Sequence, residues 1–97
     1  QNPFCYLITS YTSMCNDYLR FQDLENALVC LEKATDIAIT LYSWGKERRA
    51  DKLAMEDIIF FVKHTPGWCH NKVSESMLNS FTTHSRYIRC KERVDKL

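Results

Sequence analysis

The side chains with the most obvious chemical potential in this 97-residue chain are its cysteines, histidines and paired carboxylates. Catalysis by a cysteine needs a thiolate held beside an imidazole in a cleft. Cys69 and His70 are adjacent in the chain, so their side chains point in different directions on a helix or a loop. Glu56 and Asp57 resemble an acid–base couple, but in the first turn of a helix they face the positive end of its dipole. The sequence therefore predicts no catalytic residues and no enzyme.

A bound metal is the second kind of chemistry that these residues suggest. Structural zinc sites usually contain ligand pairs at short spacing, such as Cys-x-x-Cys. His64, Cys69, His70 and Cys90 do not have this spacing. We therefore expect no metal ion and no cofactor.

The cysteines also indicate the environment in which the chain folds. Their number is odd and none forms a Cys-x-x-Cys pair: Cys5, Cys15, Cys30, Cys69 and Cys90. A small secreted domain usually has an even number of cysteines that pair as disulfides. The sequence therefore favours free, buried thiols in a reducing compartment. The alternative is a secreted helical bundle with two disulfides and one spare cysteine.

Residues 46–53, KERRADKL, form a basic connector. Its basic residues are the best candidates for contacts with phosphate or DNA: Lys46, Arg48, Arg49 and Lys52. Acidic residues lie among them, as in many solvated loops. The chain as a whole has a net charge of +1, whereas proteins that coat nucleic acid carry a clear basic surplus. We therefore expect any contact with nucleic acid to be weak.

Two glycines and two prolines are too few for the many tight turns of a sandwich or barrel. There is no apolar stretch of about 18 residues and no signal-peptide pattern, so we expect no membrane segment. Hydrophobic spacing predicts an all-α fold in a single domain, residues 1–97. Four helices are expected, approximately over residues 4–15, 21–44, 54–64 and 72–96. Asn16 and Asp17 are expected to form the first connection, and Gly45 to end the long helix.

The stretch over residues 51–68, DKLAMEDIIFFVKHTPGW, combines strand and helix signals. Its centre, IIFFV, is β-branched and aromatic, as in a buried strand. Acidic residues precede this run, basic residues follow it and Pro-Gly ends it, which is typical of a helix. We therefore expect a short helix that is apolar nearly all round.

The long helix is also apolar on more than one face. Exposed surface of this kind promotes aggregation, so the sequence predicts that a second chain covers it. The residues expected to bind this partner lie in the long helix and in the third helix: Leu28, Leu31, Ile37, Leu41, Trp44, Met55, Ile58, Ile59, Phe61 and Val62. The alternative is that the C-terminal helix covers the surplus within a monomeric four-helix bundle.

The order of a short, a long and a short helix, with a basic connector before the third, resembles the histone fold. Residues 53–63, LAMEDIIFFVK, are similar to the third histone helix, which has an Asp in its first turn and an aliphatic-aromatic run. With an extra basic C-terminal helix behind them, residues 51–65 resemble the histone-fold TBP-associated factors, in the branch of TFIID subunit 13 and a related SAGA subunit.

This resemblance implies a histone fold with an extra C-terminal helix. It implies a nuclear, non-catalytic subunit of a TBP-containing transcription complex, which forms a heterodimer with another histone-fold protein similar to TFIID subunit 11. It also implies a structural ion pair between the connector and the third helix, Arg49 with Asp57. Two alternatives stay open: a secreted or viral monomeric four-helix bundle that acts as a protein ligand, and a DNA-binding histone-like dimer.

Overall fold

The computed structural model of the protein describes residues 3–47, 56, 59–60, 62–66 and 72–97. Four helices are present in these ranges: α1 (Pro3–Arg20), α2 (Leu24–Glu47), α3 (Glu75–Thr82) and α4 (Ser85–Asp95). Residues 59, 60, 62 and 63 are also helical, and the ranges described contain no strand. The all-α prediction is therefore confirmed, and the IIFFV run is helical wherever it is described.

Helices α1 and α2 are joined by only three residues, Phe21, Gln22 and Asp23. Gln22 has a φ of 61°, in the left-handed region. The amide of Gln22 donates to the carbonyl of Leu19 (3.1 Å), and the amide of Asp23 donates to the carbonyl of Tyr18 (2.8 Å). These two bonds close the end of α1 as a Schellman motif, so the chain reverses direction. Such a short connection makes α1 and α2 antiparallel neighbours.

Asp23 also begins α2. Its carboxylate accepts a hydrogen bond from the backbone amide of Asn26 (3.2 Å) and another from the side-chain amide of Asn26 (2.7 Å). An aspartate at this position satisfies a free amide of the first turn and faces the positive end of the helix dipole. The prediction that placed the connection at Asn16 and Asp17 is therefore wrong. Both residues lie inside α1, which is 18 residues long rather than a short helix ending at Cys15.

The predicted end of the long helix is also wrong. α2 continues through Gly45 to Glu47, and Gly45 does not adopt a positive φ. A glycine ends a helix effectively only where the backbone enters the left-handed region. The left-handed residue of the described chain is Gln22, at the end of α1 instead.

The C-terminal segment, predicted as one helix over residues 72–96, forms the two helices α3 and α4. At the break, the hydroxyl of Thr83 donates to the carbonyl of Asn79 (2.7 Å), where it competes with backbone amides for that carbonyl. His84 is extended, with a ψ of 140°, and its side chain accepts a hydrogen bond from the amide of Arg86 (3.1 Å). His84 therefore caps a new helix instead of continuing the old one.

The core is centred on α2, which contacts α1, α3 and α4. α1 supplies residues such as Ile8 and Leu19, and the C-terminal helices supply Phe81, Cys90 and Val94. Three residues of α2 that the sequence assigned to a partner interface are buried in this core: Leu28, Leu31 and Leu41. They are covered because helices of the same chain pack on both sides of α2.

Arg86 fastens α4 to α2. Its guanidinium donates to both carboxylate oxygens of Glu32 (3.1 and 2.5 Å) and to both of Glu25 (3.0 and 2.9 Å). These hydrogen bonds hold the pKa of Glu32 below its ordinary value. Glu25 and Glu32 are two turns apart on one face of α2. Since the guanidinium is a rigid planar fork, the two carboxylates fix the position of α4 along α2. A second ion pair between these helices joins Arg93 to Asp36 (2.8 Å).

Replacing Gln22 with glycine should stabilise the protein. A residue with a Cβ costs roughly 1–2 kcal/mol in the left-handed region, and glycine does not. Gln22 is exposed, so the substitution removes little packing. We expect Gln22→Gly to raise the free energy of unfolding by about 0.5–1 kcal/mol in urea melts.

Ser43→Gly is the matched control for this substitution, since Ser43 is exposed in the interior of α2. Glycine inside a helix is destabilising, so this variant should lose about 0.5 kcal/mol. If Gln22→Gly and Ser43→Gly lowered the free energy of unfolding by similar amounts, Gln22 would not hold a positive φ in solution.

Candidate interaction site

An open groove lies on the C-terminal half of α2. Five residues line it: Asp36, Ile37, Thr40, Leu41 and Trp44. Positions separated by four or eight residues lie on one face of a helix. The volume of the groove is about 180 Å³, which is below the ~300–1,000 Å³ of typical small-molecule sites. The groove is therefore better matched to apolar side chains of another protein than to a metabolite.

The groove presents mainly apolar surface. Trp44 is 44% exposed and Ile37 is half-buried, so both can still lose accessible surface to a partner. The hydroxyl of Thr40 donates to the carbonyl of Asp36 (2.9 Å), and the carboxylate of Asp36 pairs with an arginine of α4. Because these polar groups already have partners within the chain, a ligand in the groove meets few unsatisfied polar atoms.

The structure brings together three of the residues that the sequence predicted for partner binding: Ile37, Leu41 and Trp44 line the groove. The other predicted residues fall into two groups. Those in the core are Leu28, Leu31, Ile59 and Val62. Those outside the described residues are Met55, Ile58 and Phe61.

The basic connector is described only at its beginning. Lys46 is exposed in the last turn of α2, where it faces the negative end of the helix dipole. Arg48, Arg49 and Lys52 lie outside the described residues, and so does Asp57. The phosphate contacts and the Arg49–Asp57 ion pair therefore stay predictions.

The IIFFV helix has both buried and exposed residues among those that the structure describes. Ile59 and Val62 are buried, as expected for residues three positions apart on one helix face. Phe60 is 42% exposed, and its ring lies 4.4 Å from the ring of His64, centroid to centroid. Among the described residues of this helix, one face therefore enters the core, and whether a partner covers the rest stays a prediction.

A second cleft lies between this helix end and α3. Its lining residues come from the turn at 63–66 and from the two C-terminal helices: Lys63, His64, Thr65, Pro66, Glu75, Leu78, Asn79, Thr82 and Tyr87. Its volume is about 510 Å³. No local pattern in the sequence indicates this cleft, because its walls come from separate parts of the chain and meet only in the fold.

Lys91 joins α4 to the turn beside the cleft. Its Nζ donates to the carbonyls of Val62 (2.6 Å), Lys63 (2.8 Å) and Thr65 (3.0 Å). An ammonium has three hydrogens, so all of its donors are used. Lys91 therefore supplies donors to the last carbonyls of the IIFFV helix, of which that of Val62 also accepts from the backbone amide of Thr65 (3.3 Å). Burial lowers the pKa of Lys91 to about 8, so the three hydrogen bonds do not fully replace the lost hydration of its charge.

The thiols of the core are not placed to act as nucleophiles or as metal ligands. Cys15, Cys30 and Cys90 are free and buried. Burial raises the pKa of each of them, so they stay protonated at neutral pH and are poor nucleophiles and poor metal ligands. In the ranges that the structure describes, no group of three His, Cys, Asp or Glu side chains is placed to hold a metal ion.

The lowered pKa of Lys91 predicts a specific pH dependence of stability. Between pH 8 and the ordinary value of 10.5, the unfolded chain keeps the Lys91 proton that the folded protein has released. Stability rises with pH wherever the unfolded state binds more protons. We therefore expect the unfolding free energy of the wild type, minus that of Lys91→Met, to be flat below pH 8 and to rise from pH 8 to 10.5.

Taking this difference cancels most of the opposing effect of the buried thiols, which are present in both proteins and lower stability at alkaline pH because their pKa values are raised. The electrostatic coupling of Lys91 to Cys15 and Cys90 is the part that remains. Lys96→Met, at an exposed lysine just after α4, is the matched control. A difference that stays flat up to pH 10.5 would mean that the carbonyls hold the pKa of Lys91 at its ordinary value.

The chain also lacks, in the part that the structure describes, a helix both long enough and apolar enough to cross a bilayer. Comparison with family models, with curated proteins and with solved structures finds no match. The features of this chain that bear on its function are therefore the groove of α2 and the resemblance carried by residues 51–65.

Proposed function

We propose that this chain is a non-catalytic interaction module that binds a partner protein through the groove of α2. The observation that carries the proposal is the exposed Trp44 and the half-buried Ile37 beside the buried Leu41. Tryptophan is among the residues that most often dominate binding energy at protein interfaces. Full burial of one such apolar side chain contributes roughly 1.5–3 kcal/mol.

In its more specific form, the proposal is a histone-fold subunit of a TFIID- or SAGA-like transcription complex in the nucleus. The partner is then another histone-fold protein, similar to TFIID subunit 11, and the pair joins a complex that contains TBP. Support comes from the resemblance of residues 51–65, from the helical backbone at 59–60 and 62–63, and from the 24-residue length of α2. Long central helices are what histone-fold partners pack against each other.

Binding to a purified histone-fold partner of the TFIID subunit 11 type tests this proposal by calorimetry. We expect a one-to-one complex, with Trp44→Ala weakening the affinity about 30-fold, which corresponds to the ~2 kcal/mol of an interface hot spot. Ile88→Ala is the matched control, since Ile88 has similar exposure (42%) but lies on α4, outside the groove. It should leave the affinity unchanged.

Each part of the proposal has its own contradicting outcome. Failure to bind histone-fold proteins, with Trp44-dependent binding to another helical protein, would remove the transcription assignment and keep the interaction module. Binding that is insensitive to Trp44→Ala would show that the partner does not bind in the groove.

A second candidate function is a monomeric helical protein that acts as a ligand for a receptor. The observation that favours it is the closure of the core within one chain, since α1, α3 and α4 all pack on α2. In this case most of the apolar surface of α2 is buried within the chain, without a partner. A secreted ligand of this size would be expected to contain disulfides.

Thiol titration separates the two candidates. The structure places Cys15, Cys30 and Cys90 in the core as free thiols, so they should react with a thiol reagent only after denaturant is added. We expect the non-reduced chain to show all five thiols once it is unfolded. A single thiol under these conditions would contradict the reducing compartment and support the disulfide-bonded ligand.

A further inference from the structure

The second cleft, between the end of the IIFFV helix and the C-terminal helices, has the size of a small-molecule site. Its volume is about 510 Å³, which lies within the ~300–1,000 Å³ that is usual for such sites. Pro66, which lines it, is buried, and Leu78 and Tyr87 are half-buried. The cleft therefore offers a ligand a partly enclosed apolar lining, which the smaller groove of α2 does not.

Both walls of the second cleft are held in place by contacts within the chain. On the turn at 63–66, the carbonyls of Lys63 and Thr65 accept hydrogen bonds from Lys91 (2.8 and 3.0 Å). On α4, the ring of Tyr87 lies 5.0 Å from the ring of Phe81, centroid to centroid. The ammonium of Lys91 lies 5.2 Å from the centroid of the Tyr87 ring. The site is thus formed in the free protein, so binding requires little further ordering of the chain.

The charged side chains of the second cleft lie on opposite walls. Lys63 and His64 are exposed on the turn, and Glu75 is exposed in the first turn of α3. Among the residues that the structure describes, no ion pair joins Glu75 to either of them. With histidine counted as neutral, the cleft has one positive and one negative side chain. A ligand that complements both walls therefore has a carboxylate at one end, an ammonium at the other and no net charge.

Along α3, the lining beyond Glu75 is suited to a peptide group. Asn79, one turn further on, exposes a carboxamide, which donates and accepts hydrogen bonds as a peptide group does. The hydroxyl of Thr82 donates to the carbonyl of Leu78 (2.9 Å), so the oxygen of this hydroxyl can still accept from a ligand amide. Leu78 itself provides an apolar contact for a ligand side chain.

The separation of the two walls selects the length of the ligand. A cleft of this volume is about 8 Å across if its three dimensions are equal, and two or three extended residues span roughly 7–11 Å. A single amino acid is too short to bridge the walls. We propose that the second cleft binds a free dipeptide or tripeptide, with the carboxylate of the peptide at Lys63 and His64 and its ammonium at Glu75.

The open side of the cleft limits the strength of binding, because the charged ends of a bound peptide stay partly hydrated. We therefore expect a dissociation constant on the order of 100 μM. The cleft is formed by the turn at 63–66 and by α3 and α4, whereas the groove of the proposed function lies on α2. The peptide site therefore does not depend on the proposed function.

NMR titration of the isotope-labelled full chain with the tripeptide glycyl-leucyl-glycine tests the proposal. The titration runs to about 2 mM, roughly 20 times the expected constant, at pH 7, where the amino terminus of a peptide is mostly protonated. The amide signals of the turn and of α3 should shift and saturate. Two blocked forms of the peptide are the matched ligands, since N-acetylation removes the ammonium and C-terminal amidation removes the carboxylate. Each should bind about fivefold more weakly, as expected for loss of one exposed ion pair.

Two substitutions assign each end of the peptide to its wall. Lys63→Gln should reduce the preference over the amidated form to about twofold or less and keep the preference over the acetylated form. Glu75→Gln should do the reverse. Lys96→Gln and Glu92→Gln are the matched controls, since both residues are exposed outside the cleft and should leave both preferences unchanged. The dispersion of the NMR signals shows that each variant is folded.

Three results would overturn the proposal. Signals of the cleft that do not move at the highest peptide concentration would show that it is not a peptide site. Equal binding of all three forms would show that the charged walls do not select the ligand. Tightest binding of the acetylated form would show that the cleft takes an anion rather than a zwitterion.

Trp44→Ala separates this site from the proposed function. The substitution should weaken binding of the partner protein and leave the affinity for the tripeptide unchanged, because Trp44 lines the groove of α2 and not the second cleft. Failure of either proposal is therefore recognisable without the other.

Discussion

The fold depends above all on the enclosure of α2. This 24-residue helix carries fully buried residues on more than one side, including Ala27, Leu28, Leu31 and Ala38. A helix with so wide an apolar surface is stable in water only when neighbours cover it from several directions. α1 covers one side because the connection at residues 21–23 is too short for any other arrangement. The C-terminal helices cover the other side, where Arg86 and Arg93 fix their position.

The helical class and the nature of the IIFFV run could be predicted from the sequence, because both depend on local signals. Acidic residues before the run and Lys63 and His64 after it outweighed the strand propensity of its centre. The positions of the turns were harder to predict. Asn16 and Asp17 are typical turn residues but lie in α1, whereas the turn occurs at Gln22, a residue with no such preference. There the closing hydrogen bonds and the packing of two long helices outweigh the preference of a single side chain.

The interaction site could be predicted only in part, for a different physical reason. The sequence shows that Ile37, Leu41 and Trp44 share an apolar helix face, but it does not show which apolar residues the rest of the chain will cover. Leu28, Leu31 and Leu41 are alike in type and all buried, yet only Leu41 borders the groove. The contacts of Lys91 lie at sequence separations of 26–29 residues and depend on the break at Thr83 and His84. No local sequence pattern predicts contacts between residues so far apart in the chain.

The Lys91 contacts also impose an order on folding during synthesis. The carbonyls of Val62, Lys63 and Thr65 receive their hydrogen bonds from a residue translated more than twenty positions later. Chains are made from the N-terminus at about 5–20 residues per second, and early segments fold before late ones emerge. The α1–α2 hairpin can therefore form on the ribosome, whereas the end of the IIFFV helix lacks these three donors until Lys91 has left the exit tunnel. During that interval the face of α2 that the C-terminal helices later cover is still exposed, so this face and the IIFFV segment are both available to a chaperone.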